Sequence, residues 1–288
     1  MNIYREVYRW VMSKLTTFFI VFLIVGFPKN SIGQDGGFTI HLENTTSGVE
    51  FGVWGEYSKN LPKPILFILA STIQETLGNA YFRQCGTRLV NENGWLCVSL
   101  DLPYHGKMVK KDIPPGLAGW ASAAKNGKDF VNENNMRMRE VLGYLIEKGY
   151  ADTNQIVVCG TSRGGYLAFQ FAAFESKVKA VAAFAPVTDL SALREFYGID
   201  KKNIPPFFNL DSKIGSLAGK SVWVVIGDRD DRVDTDKAIQ FARKISRYST
   251  ASNVELNVMV EQKGHTTPKG SVDRAVSWIL ENISRTKD

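Results

Sequence analysis

Six short runs carry the strand signal along this chain: residues 64–70, 95–100, 156–160, 178–185, 222–226 and 254–260. The first, Pro64-Ile65-Leu66-Phe67-Ile68-Leu69-Ala70, is continuously apolar, as a strand covered on both faces must be. Between the runs lie stretches of helical spacing, at residues 77–91 with Gly94 as the stop, 236–246 and 272–283. A further helix gathers Met138, Val141, Leu142, Leu145 and Ile146 on one face. Ahead of all this, residues 38–43 and 49–57 alternate with period two around Thr45-Thr46-Ser47-Gly48, which predicts an antiparallel hairpin. Residues 107–130, with Pro114-Pro115-Gly116, and residues 190–217, with Pro205-Pro206-Phe207-Phe208, break the rhythm and read as irregular. Strands alternating with helices predict an α/β fold: a mostly parallel central sheet with helices on both faces. Ligands of such sheets bind outside the carboxyl ends of the strands, so the residues that follow each strand matter most.

One junction stands out. In Ile156-Val157-Val158-Cys159-Gly160-Thr161-Ser162-Arg163-Gly164-Gly165-Tyr166-Leu167, a buried strand ends at Gly160 and helix formers begin after Gly165. Ser162 therefore sits on a strand-to-helix turn with glycine two residues to either side, the context of a G-x-S-x-G nucleophile elbow. The helix N-terminus behind it favours negative charge developing at the same spot.

A serine hydroxyl needs a base, and histidine is the usual one because its pKa lies near the working pH. Three are available. His41 lies in the first, peripheral strand, and His105 in a tight Pro-x-His-Gly turn ahead of the serine, where a buried hydrogen-bonded role is expected. His265 follows the last strand behind Gly264, on a loop able to reach the carboxyl ends, and is the expected base. The chain order Ser, acid, His confines the orienting carboxylate to the interval between Ser162 and His265. There Gly227-Asp228-Arg229-Asp230-Asp231-Arg232-Val233-Asp234 offers four acids that spacing alone does not rank. Those not used would cap the next helix, as Asp234 is placed to do, or pair with Arg229 or Arg232.

The front end changes the compartment expected. Arg5, Arg9 and Lys14, an apolar run over 15–27, Pro28 and Ser31-Ile32-Gly33 read as a signal peptide spanning residues 1–33, cleaved before Gln34. The apolar run is shorter than the ~20 residues of a spanning helix, and an uncleaved membrane anchor is the alternative. Loss of the segment removes Arg5, Arg9, Lys14, Lys29 and Glu6, so the formal charge falls from +6 to +3. So mild a charge, with aromatics not interleaved among basic clusters, predicts no nucleic-acid partner and no stable membrane association. Residues 34–288 fit a single domain. Cys85, Cys97 and Cys159 lie on apolar strands or a helix-like stretch and are expected as buried thiols rather than a disulfide framework. Five lysines on the 107–130 stretch (Lys107, Lys110, Lys111, Lys125, Lys128) read first as a solvated loop and second as a hint of an acidic substrate.

Together, Gly160-Thr161-Ser162-Arg163-Gly164-Gly165-Tyr166, Gly227-x-x-Asp230-x-x-Val233 and Gly264-His265 resemble the α/β-hydrolase fold, in its prolyl-oligopeptidase-like and dienelactone-hydrolase-like branch. Asp101-x-Pro103-x-His105-Gly106 matches the turn that this family carries before the nucleophile strand. The resemblance implies a Ser162-Asp230-His265 triad acting through an acyl-enzyme, an oxyanion hole that includes the backbone N–H of Arg163, and no metal or organic cofactor. The family's usual His-Gly after the strand at 65–69 is replaced here by Ala70-Ser71-Thr72. The second oxyanion N–H is assigned to Thr72, with Ser71 and Ile73 as neighbouring alternatives. An exported esterase acting on a small-molecule or carbohydrate ester is the first expectation. A prolyl-oligopeptidase-like peptidase is the second, although residues 34–288 have no room for the propeller that filters peptides in that family. A non-catalytic binding protein on the same scaffold is the third. The fold inserts its cap at residues 191–217, where a small lid is expected, with Phe196, Tyr197, Phe207 and Phe208 packed against the domain and, as the alternative, facing the pocket as an apolar wall.

Overall fold

A computed structural model describes residues 31–32, 39–250 and 252–284. Nine strands form one sheet. They are β1 (Ser31–Ile32), β2 (Ile40–Asn44), β3 (Glu50–Trp54), β4 (Lys63–Leu69), β5 (Leu96–Ser99), β6 (Ala151–Thr161), β7 (Val178–Phe184), β8 (Ser221–Arg229) and β9 (Asn253–Lys263). Their order across the sheet is β1-β2-β3-β5-β4-β6-β7-β8-β9. The pairs from β1 to β5 are antiparallel, and from β5 to β9 every neighbour is parallel. The chain thus leaves β4 toward β5 and returns on the other side as β6. The carboxyl ends of β4 and β6 flank the switch point, where doubly wound sheets open a crevice.

Residues of β4 alternate between two buried clusters. Ile65, Phe67 and Leu69 face one, and Leu66 and Ile68 face the other. The first face is covered by the helices Gly116–Lys125 (α4), Phe130–Glu147 (α5), Arg163–Phe174 (α6) and Thr235–Tyr248 (α8), the last two contributing Leu167, Phe171, Phe241 and Ile245. Opposite them, Ile73–Gly78 (α1), Gly86–Asn93 (α3) and Ser271–Ser284 (α9) bring Leu77, Leu89 and Ile279. Two-sided burial is why the central strands read as apolar runs instead of alternating ones. Among the described residues, no helix is long and apolar enough to cross a membrane.

Several boundaries differ from expectation. The helix expected over 77–91 starts earlier, at Ile73, and is broken into α1, Ala80–Arg83 (α2) and α3. Asn79 leaves the helix in an extended conformation and its side chain caps Tyr81, while Gln84 takes φ 45° and sends its amide to Thr161 and Thr267. Residues 107–130 are not a continuous loop, because α4 occupies ten of them. Pro115 is its N-cap and its inner face buries Trp120, Ala123 and Ala124. Proline just before a helix costs no hydrogen bond, so the Pro-Pro-Gly that looks like a breaker is a start. The lysines of this stretch turn outward, Lys107 to Glu50 at 2.7 Å and Lys110 to Glu133 at 3.2 Å. The thiols of Cys85, Cys97 and Cys159 are free and buried, and burial pushes Cys85 up to about 12.

Residues 190–213 run as a chain of 3₁₀ turns leading into Ile214–Leu217 (α7). The aromatic side chains of this insertion divide. Phe196 and Phe208 are core residues, Phe208 stacking on Phe130 at 4.7 Å between centroids. The Phe208 carbonyl also accepts a hydrogen bond from the buried Tyr166 hydroxyl. Phe207 packs on the core edge. Tyr197 alone of the four is well exposed, at 71%, and borders a cavity of about 480 Å³ whose wall includes Asp230. Phe208→Ala is therefore expected to cost about 3–5 kcal/mol of stability, as large-to-small core changes do. Chemical denaturation with an unchanged m-value would register it.

The segment expected to be a signal peptide lies outside the described residues except for Ser31 and Ile32, which pair antiparallel with His41 and Ile40.

Candidate active site

At the end of β6 the backbone turns sharply. Ser162 adopts φ 55° and ψ −117°, a region that non-glycine residues occupy only where surrounding structure enforces it. The two glycines of the elbow are required by contact. A Cβ on Gly164 would lie 1.8 Å from the Leu69 carbonyl oxygen, and one on Gly160 would lie 2.3 Å from the Gly164 backbone. Bonds from Val187 N to Ser162 O (3.1 Å) and from Ser162 N to Phe184 O (2.9 Å) tie the elbow to β7. The result is a half-buried serine raised above the sheet at the start of α6.

His265 follows β9 behind Gly264, whose φ of 73° turns the loop back over the sheet. Its Nε2 lies 2.8 Å from Ser162 Oγ and its Nδ1 lies 2.8 Å from Asp230 Oδ2. Asp230 is 1% exposed, and its other oxygen accepts the backbone N–H groups of Arg232 (3.1 Å) and Val233 (3.3 Å). Thr235 Oγ1 completes the support by accepting from Asp230 N and donating to Gly227 O. A carboxylate fixed by two amides and one imidazole cannot rotate away. The other acids of the run have different work. Asp234 caps α8 through Lys237 N (3.1 Å), and Asp228 pairs with Arg229 at 3.7 Å. Asp231 is exposed on the loop. His41 lies on β2 against Tyr57, and His105 holds the Pro103 carbonyl oxygen at 2.9 Å through Nδ1.

The turn after β4 decides which amide is left without an acceptor. Arg163 Nε donates to Ala70 O at 2.9 Å, and Gly164 abuts Leu69, so this turn and the start of α6 are in contact. Of the three amides considered, Ser71 N–H is taken by Thr76 Oγ1 (3.2 Å) and Ile73 N–H by Asp101 Oδ1 (2.8 Å). Thr72 N–H has no acceptor among the described residues. Arg163 N–H, at the first helical position, has none in its own helix. Both amides are thus left unspent, one on the turn after β4 and one at the start of α6.

Asp101 is a site residue whose role sequence reasoning overlooked. Oδ1 holds Ile73 N and Oδ2 holds Lys107 N, both at 2.8 Å, while Arg137 binds its carbonyl oxygen at 2.9 Å. One carboxylate thereby clamps the Ala70–Ile73 turn to the loop after β5. The signal was an acid directly after an apolar strand in a D-x-P-x-H-G turn. Gly106 is required there, because a Cβ would lie 2.2 Å from Asp101 Oδ2. Asp101→Asn puts an amide donor against one of two backbone donors. It is expected to cost about 1.5–3 kcal/mol in stability and roughly 10- to 100-fold in kcat through misplacement of Thr72, read from thermal melts and steady-state kinetics.

The family model described as "Prolyl oligopeptidase family" matches residues 137–283, which contain the elbow, the acid run and the histidine. No curated protein matches the sequence. Among solved structures, acetyl xylan esterase 1 from Thermoanaerobacterium sp. JW/SL YS485 aligns with a TM-score of 0.62 at 17% identity, over 88% of this chain and 86% of its own. An esterase of Pyrococcus furiosus aligns with a TM-score of 0.61 at 17% identity, over 89% and 98%. Dipeptidyl peptidase 4 of Porphyromonas gingivalis gives 0.58 at 15% identity, over 85% of this chain but only 35% of the peptidase. All three share the α/β-hydrolase fold with this chain, which spans about a third of the peptidase's length.

Proposed function

Since the chain belongs to the prolyl oligopeptidase family and is thereby a serine hydrolase, we propose that it cleaves a carboxylic ester by way of an acyl-enzyme on Ser162. The observation that carries the reading is the continuous relay from Ser162 Oγ through His265 to Asp230, with both links at 2.8 Å. His265 Nε2 takes the Ser162 proton as Oγ bonds to the ester carbon. The carbonyl oxygen becomes the oxyanion and is held by the N–H groups of Arg163 and Thr72, each donor lowering the barrier by about 3–4 kcal/mol. Asp230 stabilises the imidazolium and holds its tautomer. Collapse of the intermediate breaks the bond to the alcohol oxygen, which receives the proton from His265. Water, deprotonated by the same histidine, then attacks the acyl-serine and releases the acid.

Ester over amide is favoured by the fold neighbours, since two esterases align over 86% and 98% of their own lengths. A carbohydrate ester is the first class to try, because one neighbour is an acetyl xylan esterase. Peptide cleavage is the second reading, supported by family membership. Rates on 4-nitrophenyl acetate, acetylated and feruloylated polysaccharides and aminoacyl 4-nitroanilides separate the two. Faster turnover of the anilides, lost in Ser162→Ala, would replace esterase by peptidase. Labelling by a fluorophosphonate at Ser162 tests the nucleophile without a substrate, and no labelling would leave a binding protein on this scaffold.

Export is proposed from residues 1–33. Protein recovered from the envelope or medium should begin at Gln34, as N-terminal sequencing would establish. A chain beginning at Met1 and pelleting with membranes would favour the anchor.

A further inference from the structure

Arg163 contributes more than an amide. Its side chain is half-buried beside Ser162, and Nε is spent on Ala70 O at 2.9 Å, which fixes the guanidinium over the end of β4. Neither Nη finds an acceptor among the described residues, and no carboxylate lies within ion-pair distance of it. The two acids whose charge reaches it are engaged elsewhere. Glu75 accepts from the Ser71 hydroxyl, and Glu195 takes Arg232 Nη2 at 2.8 Å through both oxygens. Burial lowers the Arg163 pKa, Glu75 draws it back up and Arg232 lowers it again, yet a guanidinium stays protonated throughout. A half-buried cation beside the nucleophile, fixed through Nε and with both Nη groups unspent, is equipped to bind a carboxylate that a substrate brings.

The leaving alcohol must face His265 Nε2, which returns its proton. The Arg163 guanidinium is held at Ala70 O, at the start of the turn that carries the Thr72 amide. His105 stands nearby as a neutral partner. Burial holds its pKa below the usual value, and with Nδ1–H donated to Pro103 O its Nε2 is an acceptor for a substrate hydroxyl.

We propose that Arg163 makes this enzyme selective for esters whose acyl part carries a free carboxylate, which its unpaired Nη groups bind as a bidentate fork. The inference rests on the esterase reading above. It is tested with 4-nitrophenyl hemisuccinate and hemiglutarate against butyrate and valerate, pairs that exchange a carboxylate for a methyl group. The charged member of each pair is expected to have the higher kcat/KM by about 10- to 100-fold, the range of charge-assisted hydrogen bonds. Arg163→Gln keeps the backbone N–H and should bring the ratio to one or below. Arg163→Lys should restore part of it, and rising salt should shrink it in the wild type. A wild-type preference for the neutral esters, or a ratio unchanged in Arg163→Gln, overturns the proposal. Aryl phosphonates with the same two tails label Ser162 without ester turnover. Failure to hydrolyse any ester, with the labelling ratio intact, defeats the esterase reading alone, and equal labelling by both tails defeats the selectivity.

Discussion

Ser162→Ala is expected to lower kcat by about six orders of magnitude, and His265→Ala by a similar factor, because members of such a relay act as a unit. Without Oγ there is no atom to carry the acyl group. Without the imidazole, the serine proton has no acceptor and the leaving alcohol no donor. Residual turnover of about 10³–10⁴ over water would remain, from the Arg163 and Thr72 amides and from binding. The fold should tolerate both changes. Ser162 is held by its backbone bonds to Phe184 and Val187, and alanine removes an oxygen whose recorded partner is His265. Turnover of 4-nitrophenyl acetate by each variant, beside matched circular dichroism spectra, is the measurement. Full activity in either correctly folded variant would refute the assignment.

Asp230→Asn should produce the next largest loss, about 10⁴-fold in kcat. The carboxylate accepts three N–H groups, two from the backbone and one from His265, and an amide has only one oxygen to offer. If Oδ1 stays on Arg232 N and Val233 N, the Asn NH₂ faces His265 Nδ1. The ring then takes the tautomer with its proton on Nε2, which is useless as a base toward Ser162. Asp228→Asn, Asp231→Asn and Asp234→Asn should each stay within a few-fold of wild type, since asparagine still caps α8 and the other two carboxylates do not touch the imidazole. Should one of those three show the largest loss, the acid assigned from the family resemblance is the wrong member of the run.

Much of the architecture was legible in the chain because it rests on short-range patterns. Strands buried on both faces must be continuously apolar, so β4 and β6 are visible as runs, and helix periodicity finds α5, α8 and α9. The elbow is legible for a steric reason. Glycine at 160 and 164 is demanded by backbone atoms 2.3 Å and 1.8 Å from the missing Cβ positions, so the five-residue spacing encodes the turn itself. Local pattern misled where propensity and context disagree, as at Pro114-Pro115-Gly116, which opens α4, and at Asn79 and Gln84, which break an apparently single helix. Phe196 and Phe208 are packed against the domain as expected, whereas the exposure of Tyr197 was not legible, because 3₁₀ turns have no apolar period long enough to tell one ring from the next.

What the sequence determined by itself is therefore the order of elements, the elbow and its serine, and the two short stretches from which an acid and a base had to come. Which carboxylate of four meets His265 was settled only when β8 and β9 paired and the loop behind Gly264 closed over Asp230, a contact 35 residues apart in the chain. The same is true of the Thr72 amide. It is left free because Thr76 and Asp101 occupy its neighbours, and the bond from Asp101 exists only once β5 lies beside β4 in the sheet. A backbone donor carries no side-chain signature, and a hydrogen bond spanning 28 residues leaves no period in the sequence. Both are properties of packing, and it is packing that turns a serine, an acid and a histidine into neighbours.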